Sequence, residues 1–332
     1  MQKCFLLFTA AAVASAALVE AASAQAPPRE QKIWDWTPDL SPDGRYVVFQ
    51  SDRDGAQDDL LIWDVEAREL RPLTASPGHH EKFPTWSSDG EWIAFQRSET
   101  GEFWDIYKIR PDGTDLTPVI ATPANALNPD FSPDGRRIAY VAKVDGKMQV
   151  HVANADGSHA RALTVGSSMW NTAEDYNYAH LPNWSPDGKT IAYATGSTAN
   201  DTAHLWTVDV ETGETKPLLI IPGVKTMGPS YSPSGNRIAF SYGVGTSFRY
   251  RLGLIDPDGE NFRRLEAAAE FHTQPAWSAD EKTLTYHEVI HGGYLIARIE
   301  LVSEAIANFG MPGGWEERLV RRLNAPYQRA AN

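Results

Sequence analysis

The chain has one cysteine in 332 residues, Cys4, so everything after it can form neither a disulfide nor a thiolate metal site. Long apolar runs are also lacking. Cys4 to Val19 is apolar and alanine-rich but shorter than the roughly 20 residues of a spanning helix, and no later stretch qualifies. Clustered positive charge is missing: 30 Lys and Arg face 43 Asp and Glu, a net charge of −13. That balance argues against nucleic acid and anionic membranes as partners, and otherwise describes an ordinary solvated surface. No G-x-S-x-G occurs, and no other catalytic motif is complete. No catalytic residue, resident metal or cofactor is therefore assigned.

The first residues are set apart from the fold. Lys3 precedes the apolar run, and Ala22-Ser23-Ala24 is an A-x-A signal before Gln25. This predicts a secretory signal peptide over 1–24, cleaved near Ala24, and a soluble periplasmic or secreted product. Cys4 lies ahead of the apolar run, which argues against a lipid-anchored cysteine. An uncleaved N-terminal anchor is the alternative.

What fills the rest is a repeated phrase: proline, two residues, serine, then a Pro-Asp-Gly-like turn. It reads Pro38-Asp39-Leu40-Ser41-Pro42-Asp43-Gly44 first, and recurs at 84–90, 129–135, 182–188 and 229–235. A degenerate copy, Pro275 to Glu281, closes the series. Its serines (41, 87, 132, 185, 232, 278) are spaced by 46, 45, 53, 47 and 46 residues, the length of one four-stranded propeller blade. Ser-Pro-Asp-Gly suits a type I turn. After each turn comes a non-alternating apolar run such as Tyr46-Val47-Val48-Phe49 or Trp92-Ile93-Ala94-Phe95, as expected of a strand covered on both faces. Third strands follow at Leu60 to Val65, Ile106 to Ile109 and Leu205 to Val208. Fourth segments carry Pro72, Pro118 and Pro217, which belong on an edge. The expected fold is all-β: a six-bladed β-propeller of four-stranded antiparallel blades over 33–310. A tail, 311–332, follows; Trp315, Leu319 and Leu323 share one face of a short amphipathic helix there.

The P-x-[WFY]-S-P-D-G phrase at this period resembles the repeat of the TolB propeller and of the propeller domains of prolyl oligopeptidase-type enzymes. The resemblance covers Ile33 to Gly310 and implies the fold. It implies little about activity, because the architecture hosts scaffolds, binders and enzymes alike. It extends to the propeller alone: residues 25–32 are all that separate the expected cleavage site from the first blade, without the domain that precedes the propeller in TolB proteins. The α/β-hydrolase domain of the peptidase relatives is not expected either.

Topology sorts the loops. The Ser-Pro-Asp-Gly turns and the third-to-fourth strand turns share one face. The segments before each Pro phrase, and the second-to-third strand loops, share the other, around the mouth of the channel. His79, His80, His180, His272 and His291 fall on the mouth side, with His287 near it. The longest insertion, Val165 to Leu181, lies there too and carries Trp170, Glu174, Asp175, Tyr176, Tyr178 and His180. These residues, with His80, Arg249 and His272, are the candidate ligand-binding set. The competing reading is a loop that plugs the channel with its own rings. His79-His80-Glu81, His180 and His272 could converge on a divalent ion, but no pair among them has diagnostic ligand spacing, and they read as polar surface. His287-Glu288-Val289-Ile290-His291 spells H-E-x-x-H. That motif needs a helix, and on a strand residues four apart lie about 13 Å from each other, so it reads as a chance match.

The resulting expectation is an exported, non-enzymatic binding scaffold for a protein, peptide or envelope polymer. The alternatives are a metal-assisted polysaccharide-degrading enzyme using the mouth histidines, and a regulatory propeller acting beside a separate hydrolase.

Overall fold

Each Pro phrase opens a strand, and the turn that ends the phrase folds the next apolar run back along it. The computed structural model describes residues 34–301 except 54–56, 123–124, 145–146, 165–180, 198–201, 222–223, 245–249, 266–271 and 291–292. All its regular elements are strands. β1 (Asp35–Leu40), β2 (Tyr46–Ser51), β3 (Asp59–Asp64) and β4 (Glu69–Pro72) form one antiparallel sheet in chain order. β5 (His80–Trp86), β6 (Ile93–Ser98), β7 (Asp105–Ile109) and β8 (Thr117–Ile120) repeat it. So do β9 (Ala126–Phe131), β10 (Arg137–Val144), β11 (Lys147–Asn154) and β12 (Arg161–Ala162).

An eight-stranded sheet follows. One half is β13 (Asn183–Trp184), β14 (Thr190–Ser197), β15 (Thr202–Asp209) and β16 (Thr215–Leu219). The other is β17 (Val224–Tyr231), β18 (Ile238–Val244), β19 (Tyr250–Ile255) and β20 (Arg263–Arg264). Each half is antiparallel throughout; the two meet through a parallel bridge that pairs Ala203 of β15 with Lys225 of β17. The last sheet is β21 (His272–Trp277), β22 (Thr283–Ile290) and β23 (Gly293–Glu300). Pro72, Pro118 and Pro217 all lie in the fourth strands, where a missing N–H leaves no gap in the ladder.

The core sits between successive sheets, which is why the second strands are buried on both faces. Val48, Leu60 and Ile62 of the first sheet pack with Trp86, Ile93 and Phe95 of the second. Ile106 and Ile120 then meet Phe131 and Ile138, and Val150 and Val152 meet Trp184 and Ile191. Leu205 and Leu218 pack with Phe240 and Ile255, and Ala239 and Leu254 with Trp277 and Leu284. Ile296 of the last sheet returns to Val47, Phe49 and Leu61 of the first. The first strands follow suit: β1 packs on β5, β5 on β9, β9 on β13, β13 on β17, β17 on β21, and β21 on β1.

The Ser-Pro-Asp-Gly turns fold as their composition predicts. In the first, the Gly44 N–H donates to the Ser41 carbonyl at 2.8 Å with Gly44 at φ +71°. The Ser41 hydroxyl donates to Asp43 at 2.5 Å and accepts the Tyr46 N–H at 2.8 Å. Ser87–Asp89, Ser132–Asp134, Ser185–Asp187 and Ser278–Asp280 repeat the side-chain bond at 2.6–2.7 Å.

The outer strand of the last sheet could come from Ser303 to Phe309, which the sequence favours because every other repeat supplies its own fourth strand, or from Glu30 to Trp34, and these segments lie mostly outside the described residues. Ser303 to Phe309 does so entirely, as do the signal segment and the Trp315 to Leu323 tail. Of Glu30 to Trp34 only Trp34 is described, and it bonds within the first sheet: its N–H donates to Asp52 at 2.9 Å and its carbonyl accepts the Asp52 N–H at 3.3 Å. No helix among the described residues is long and apolar enough to cross a membrane.

Candidate binding face

The two ends of the strands differ in how they use their polar groups. At the turn end the phrase serines bond within their own turns, as above, while Arg137 and Glu281 also reach a neighbouring sheet. At the other end, the mouth, charged and aromatic side chains of neighbouring sheets gather into one cluster. Asp58, just ahead of β3, holds its carboxylate 3.6 Å from His80 Nδ1 and 3.1 Å from Lys82 Nζ, both on β5. The Asp58 carbonyl also accepts the Glu81 N–H at 2.8 Å, which ties the two sheets by backbone as well as charge. Trp104, at the end of the β6–β7 hairpin loop, completes the cluster. Its ring lies 5.6 Å from the Lys82 ammonium and meets the His80 imidazole edge-on at 6.4 Å. His79 Nε2 sits 3.7 Å from Glu99 of the same loop.

Glu81 alternates to the opposite side of β5 and is fully buried beneath this surface, with Arg97 at 3.6 Å. Burial pushes its carboxyl above the usual carboxylate range, opposed by Thr74 and Arg97. His79, His80 and Glu81 therefore do not converge: one faces Glu99, one Asp58, and one the interior. Among the described residues no group of three or more His, Cys, Asp or Glu is arranged to hold a metal ion.

Of the remaining candidates, His272 opens β21 opposite Glu288, and its side chain lies outside the described residues. Trp170, Glu174, Asp175, Tyr176, Tyr178, His180 and Arg249 lie outside them altogether. His80 is the one member of the set with a described environment, and that environment is the cluster with Asp58, Lys82 and Trp104.

The H-E-x-x-H residues His287 to Ile290 belong to an extended strand, β22, with His291 outside the described residues. His287 pairs with Thr273 as Gln50 pairs with Trp36 and Gln96 with Lys82, so it occupies the same position in its sheet. Its ring is buried and stacks on Trp36 of β1, centroids 6.4 Å apart at 22°. It joins the last sheet to the first.

Sequence reasoning missed a chain of polar groups inside the first strands. In three of the phrases the residue after the opening proline reaches the next sheet. Asp39 accepts the Trp86 N–H, Asp130 the Trp184 N–H, and Asn183 the Tyr231 N–H, each at 2.7 Å. Thr85 stands between the two aspartates and donates to Asp130 at 3.4 Å. Burial pushes the Asp39 carboxyl up to about 6. Burial, with the Asp39 charge added, pushes Asp130 up to about 8. Such shifts often mark catalytic groups, but here the oxygens are engaged by backbone N–H groups and, at Asp130, also by the Thr85 hydroxyl and the Asn183 amide, which makes these residues ties between sheets. The signal was the Asp or Asn after three of the six phrase prolines, Pro38, Pro129 and Pro182.

The cluster sets partly buried charges, Asp58, His80 and Lys82, around the buried Trp104 ring at one end of the sheets. Comparison with known proteins gives the wider context. Residues 30–169 match the family model of the TolB beta propeller domain. An uncharacterized peptidase of Bacillus subtilis, YuxL, is 29% identical over 195 residues, which are 54% of this chain and 28% of the peptidase. The chain thus spans less than a third of that relative. The structure of putative TolB from Agrobacterium tumefaciens superposes with a TM-score of 0.62 at 19% identity, covering 80% of this chain and 90% of that one. An oligogalacturonate lyase in complex with manganese superposes with a TM-score of 0.58 at 11% identity, covering 82% and 91%. At these identities the superpositions show the fold, a TolB-like β-propeller.

Proposed function

We propose that this TolB-like propeller has six blades and serves as an exported binding scaffold, engaging a protein, peptide or envelope polymer over its channel mouth. The blade count rests on the closed succession of first strands from β1 to β21 and back, with the parallel bridge between Ala203 and Lys225 read as a contact between two blades. The observation that carries the function is the asymmetry of the two ends. The phrase serines of the turn end bond within their own turns, whereas the mouth gathers the charged and aromatic side chains of His80, Lys82, Asp58 and Trp104 from two sheets. We read the long segment with Trp170, Tyr176 and His180, which stands in the chain between β12 and β13, as part of the recognition surface, with Arg249 and His272.

The test is a double substitution, Trp170→Ala with Tyr176→Ala, in the whole protein. If both rings anchor a ligand, capture of the partner crosslinked in an envelope extract weakens by about 1–3 kcal/mol, while stability changes by about 0.5 kcal/mol or less. Unchanged capture with a large loss of stability would mean that the rings plug the channel. The similarity to a peptidase that is matched over 28% of its length favours a second reading, a propeller that regulates a separate hydrolase. Co-purification of a peptidase with the tagged chain, and a change in its rate on adding the propeller, would support that reading.

A further inference from the structure

We infer that Phe103 is a preformed aromatic anchor for a protein partner that presents an apolar pocket rimmed by Lys or Arg. This rests on the reading of the mouth as the binding face and adds the chemistry of what binds there. The large apolar side chains exposed among the described residues are Leu70, Phe103, Leu116 and Ile220. Leu70 lies in a fourth strand, and Leu116 and Ile220 directly flank two others, at 36–42% exposure. Phe103 is different: it is 66% exposed and projects from the β6–β7 loop at the mouth.

The loop that carries it is held from within. The Ser98 hydroxyl accepts the N–H groups of Thr100 and Gly101 at 3.3 and 2.9 Å. The next residue, Trp104, is buried; its N–H donates to the buried Asn125 side chain at 2.7 Å and its indole N–H to the Gly101 carbonyl at 3.1 Å. A hydrophobic ring displayed on a segment already ordered loses little freedom on binding, which is the condition for an efficient anchor. The surroundings select the partner's charge. Glu99 is 83% exposed at its side chain and faces only the imidazole of His79, and Glu102, also exposed, makes no ion pair among the described residues. Two carboxylates beside an apolar ring repel anionic polymers and lipids and complement a basic rim.

The experiment places a photoreactive benzoylphenylalanine at position 103, and separately at position 79, in the full chain expressed in its own envelope. Adducts are mapped by mass spectrometry, and melting curves confirm that each variant folds. The expected result is a 103 adduct on a protein, at an apolar segment with neighbouring Lys or Arg. The yield should fall about tenfold or more when Glu99→Lys and Glu102→Lys are added, and should also fall with added salt. An adduct on polysaccharide or lipid, or a protein adduct indifferent to charge reversal and salt, overturns the inference. An adduct at 79 without one at 103 also overturns it and leaves the mouth as a binding face. No adduct at either position removes both.

Discussion

Asp130 of β9 accepts the backbone N–H of Trp184 in β13 at 2.7 Å, so a carboxyl group of one sheet satisfies the first strand of the next. The indole of Trp184 reciprocates, donating to the Asp130 carbonyl at 3.2 Å. Asp39 and Trp86 repeat the carboxyl contact two sheets earlier. These ties supply acceptors that strand pairing cannot, because the phrase proline and the bulge before it interrupt the ladder.

A pH dependence follows from the two carboxyls. Both bind their proton more tightly in the fold than in the unfolded chain, where the value is 3.8. The stability this contributes is fully present below about pH 4. It is lost as pH rises through about 6 for Asp39 and about 8 for Asp130. The turn carboxylates of Asp43, Asp134 and Asp187 act in the opposite sense. Their serine hydroxyls lower them, and their contribution is lost as pH falls below the unfolded value. Melting temperature should therefore peak in mildly acidic solution and decline from pH 5 to pH 9. Asp130→Asn keeps an acceptor for Trp184 and removes the titration, so its decline should be shallower. An equal decline in both proteins would show that Asp130 does not titrate in this range.

Gln50 is a second tie. It is 1% exposed, and its side-chain carbonyl accepts the Thr37 hydroxyl at 3.0 Å and the Phe83 N–H at 3.2 Å. The Gln96 side-chain carbonyl does the same for the Asn128 N–H at 3.0 Å, and the Ser241 hydroxyl accepts the Gln274 N–H at 3.1 Å. The N–H donors are the residues before the phrase prolines. They have φ between +52° and +56°, a conformation that non-glycine residues adopt only when their surroundings hold it. Gln50→Leu leaves the buried Thr37 hydroxyl and the part-buried Phe83 N–H without this acceptor and should cost about 1–3 kcal/mol in denaturant unfolding. A cost near zero would mean that the bulge does not depend on the tie.

The strand order of each repeat was legible in the sequence because the proline, the serine turn and the apolar run each dictate local geometry. The edge prolines at 72, 118 and 217 were legible for the same reason. Asp39 and Asp130 were not. Their meaning lies in a backbone N–H about 50 residues away, and nothing local distinguishes such an aspartate from a surface one. His80 could be assigned to the mouth by counting strands, but its partners Asp58 and Trp104 come from different loops, and spacing alone does not bring them together. Phe103 escaped notice because one aromatic in a short loop has no pattern to stand against.

Two glycines with similar backbones should respond very differently to alanine. Gly44 has φ +71° and open space where a Cβ would go. Gly157 has φ +85°, and a Cβ there would lie 1.9 Å from the Val119 carbonyl oxygen of β8 in the preceding sheet. Gly44→Ala should cost about 1–2 kcal/mol from the left-handed backbone alone. Gly157→Ala must also push two sheets apart and should cost about 3 kcal/mol or more. Equal costs, measured by chemical unfolding, would show that the third-to-fourth strand turns do not set the spacing between sheets.

The degenerate sixth phrase makes the last prediction. Glu281 stands where the other copies have glycine, at φ +57°, and its N–H still closes the turn on the Ser278 carbonyl at 2.9 Å. Its side chain compensates by crossing to the preceding phrase. There it accepts the Ser234 N–H and lies 3.4 Å from the Arg237 guanidinium, which itself sits 5.0 Å from the Trp277 ring. Burial alone would raise this carboxyl. Ser234 and Arg237 outweigh it and hold the group below its ordinary value, so the carboxylate form belongs to the fold. Restoring the repeat with Glu281→Gly relieves a backbone cost of about 1–2 kcal/mol. It also removes a charge-assisted bond of about 1.5–3 kcal/mol and the ion pair with Arg237. The larger loss wins, and Glu281→Gly should be net destabilising by about 1 kcal/mol. Glu281→Gln keeps the strained backbone and a neutral acceptor for Ser234, so it should also lose stability, with most of the loss disappearing at low pH, where the native carboxyl is itself protonated. A stabilised Glu281→Gly protein would show that the turn strain, and not the link to Ser234 and Arg237, dominates at this position.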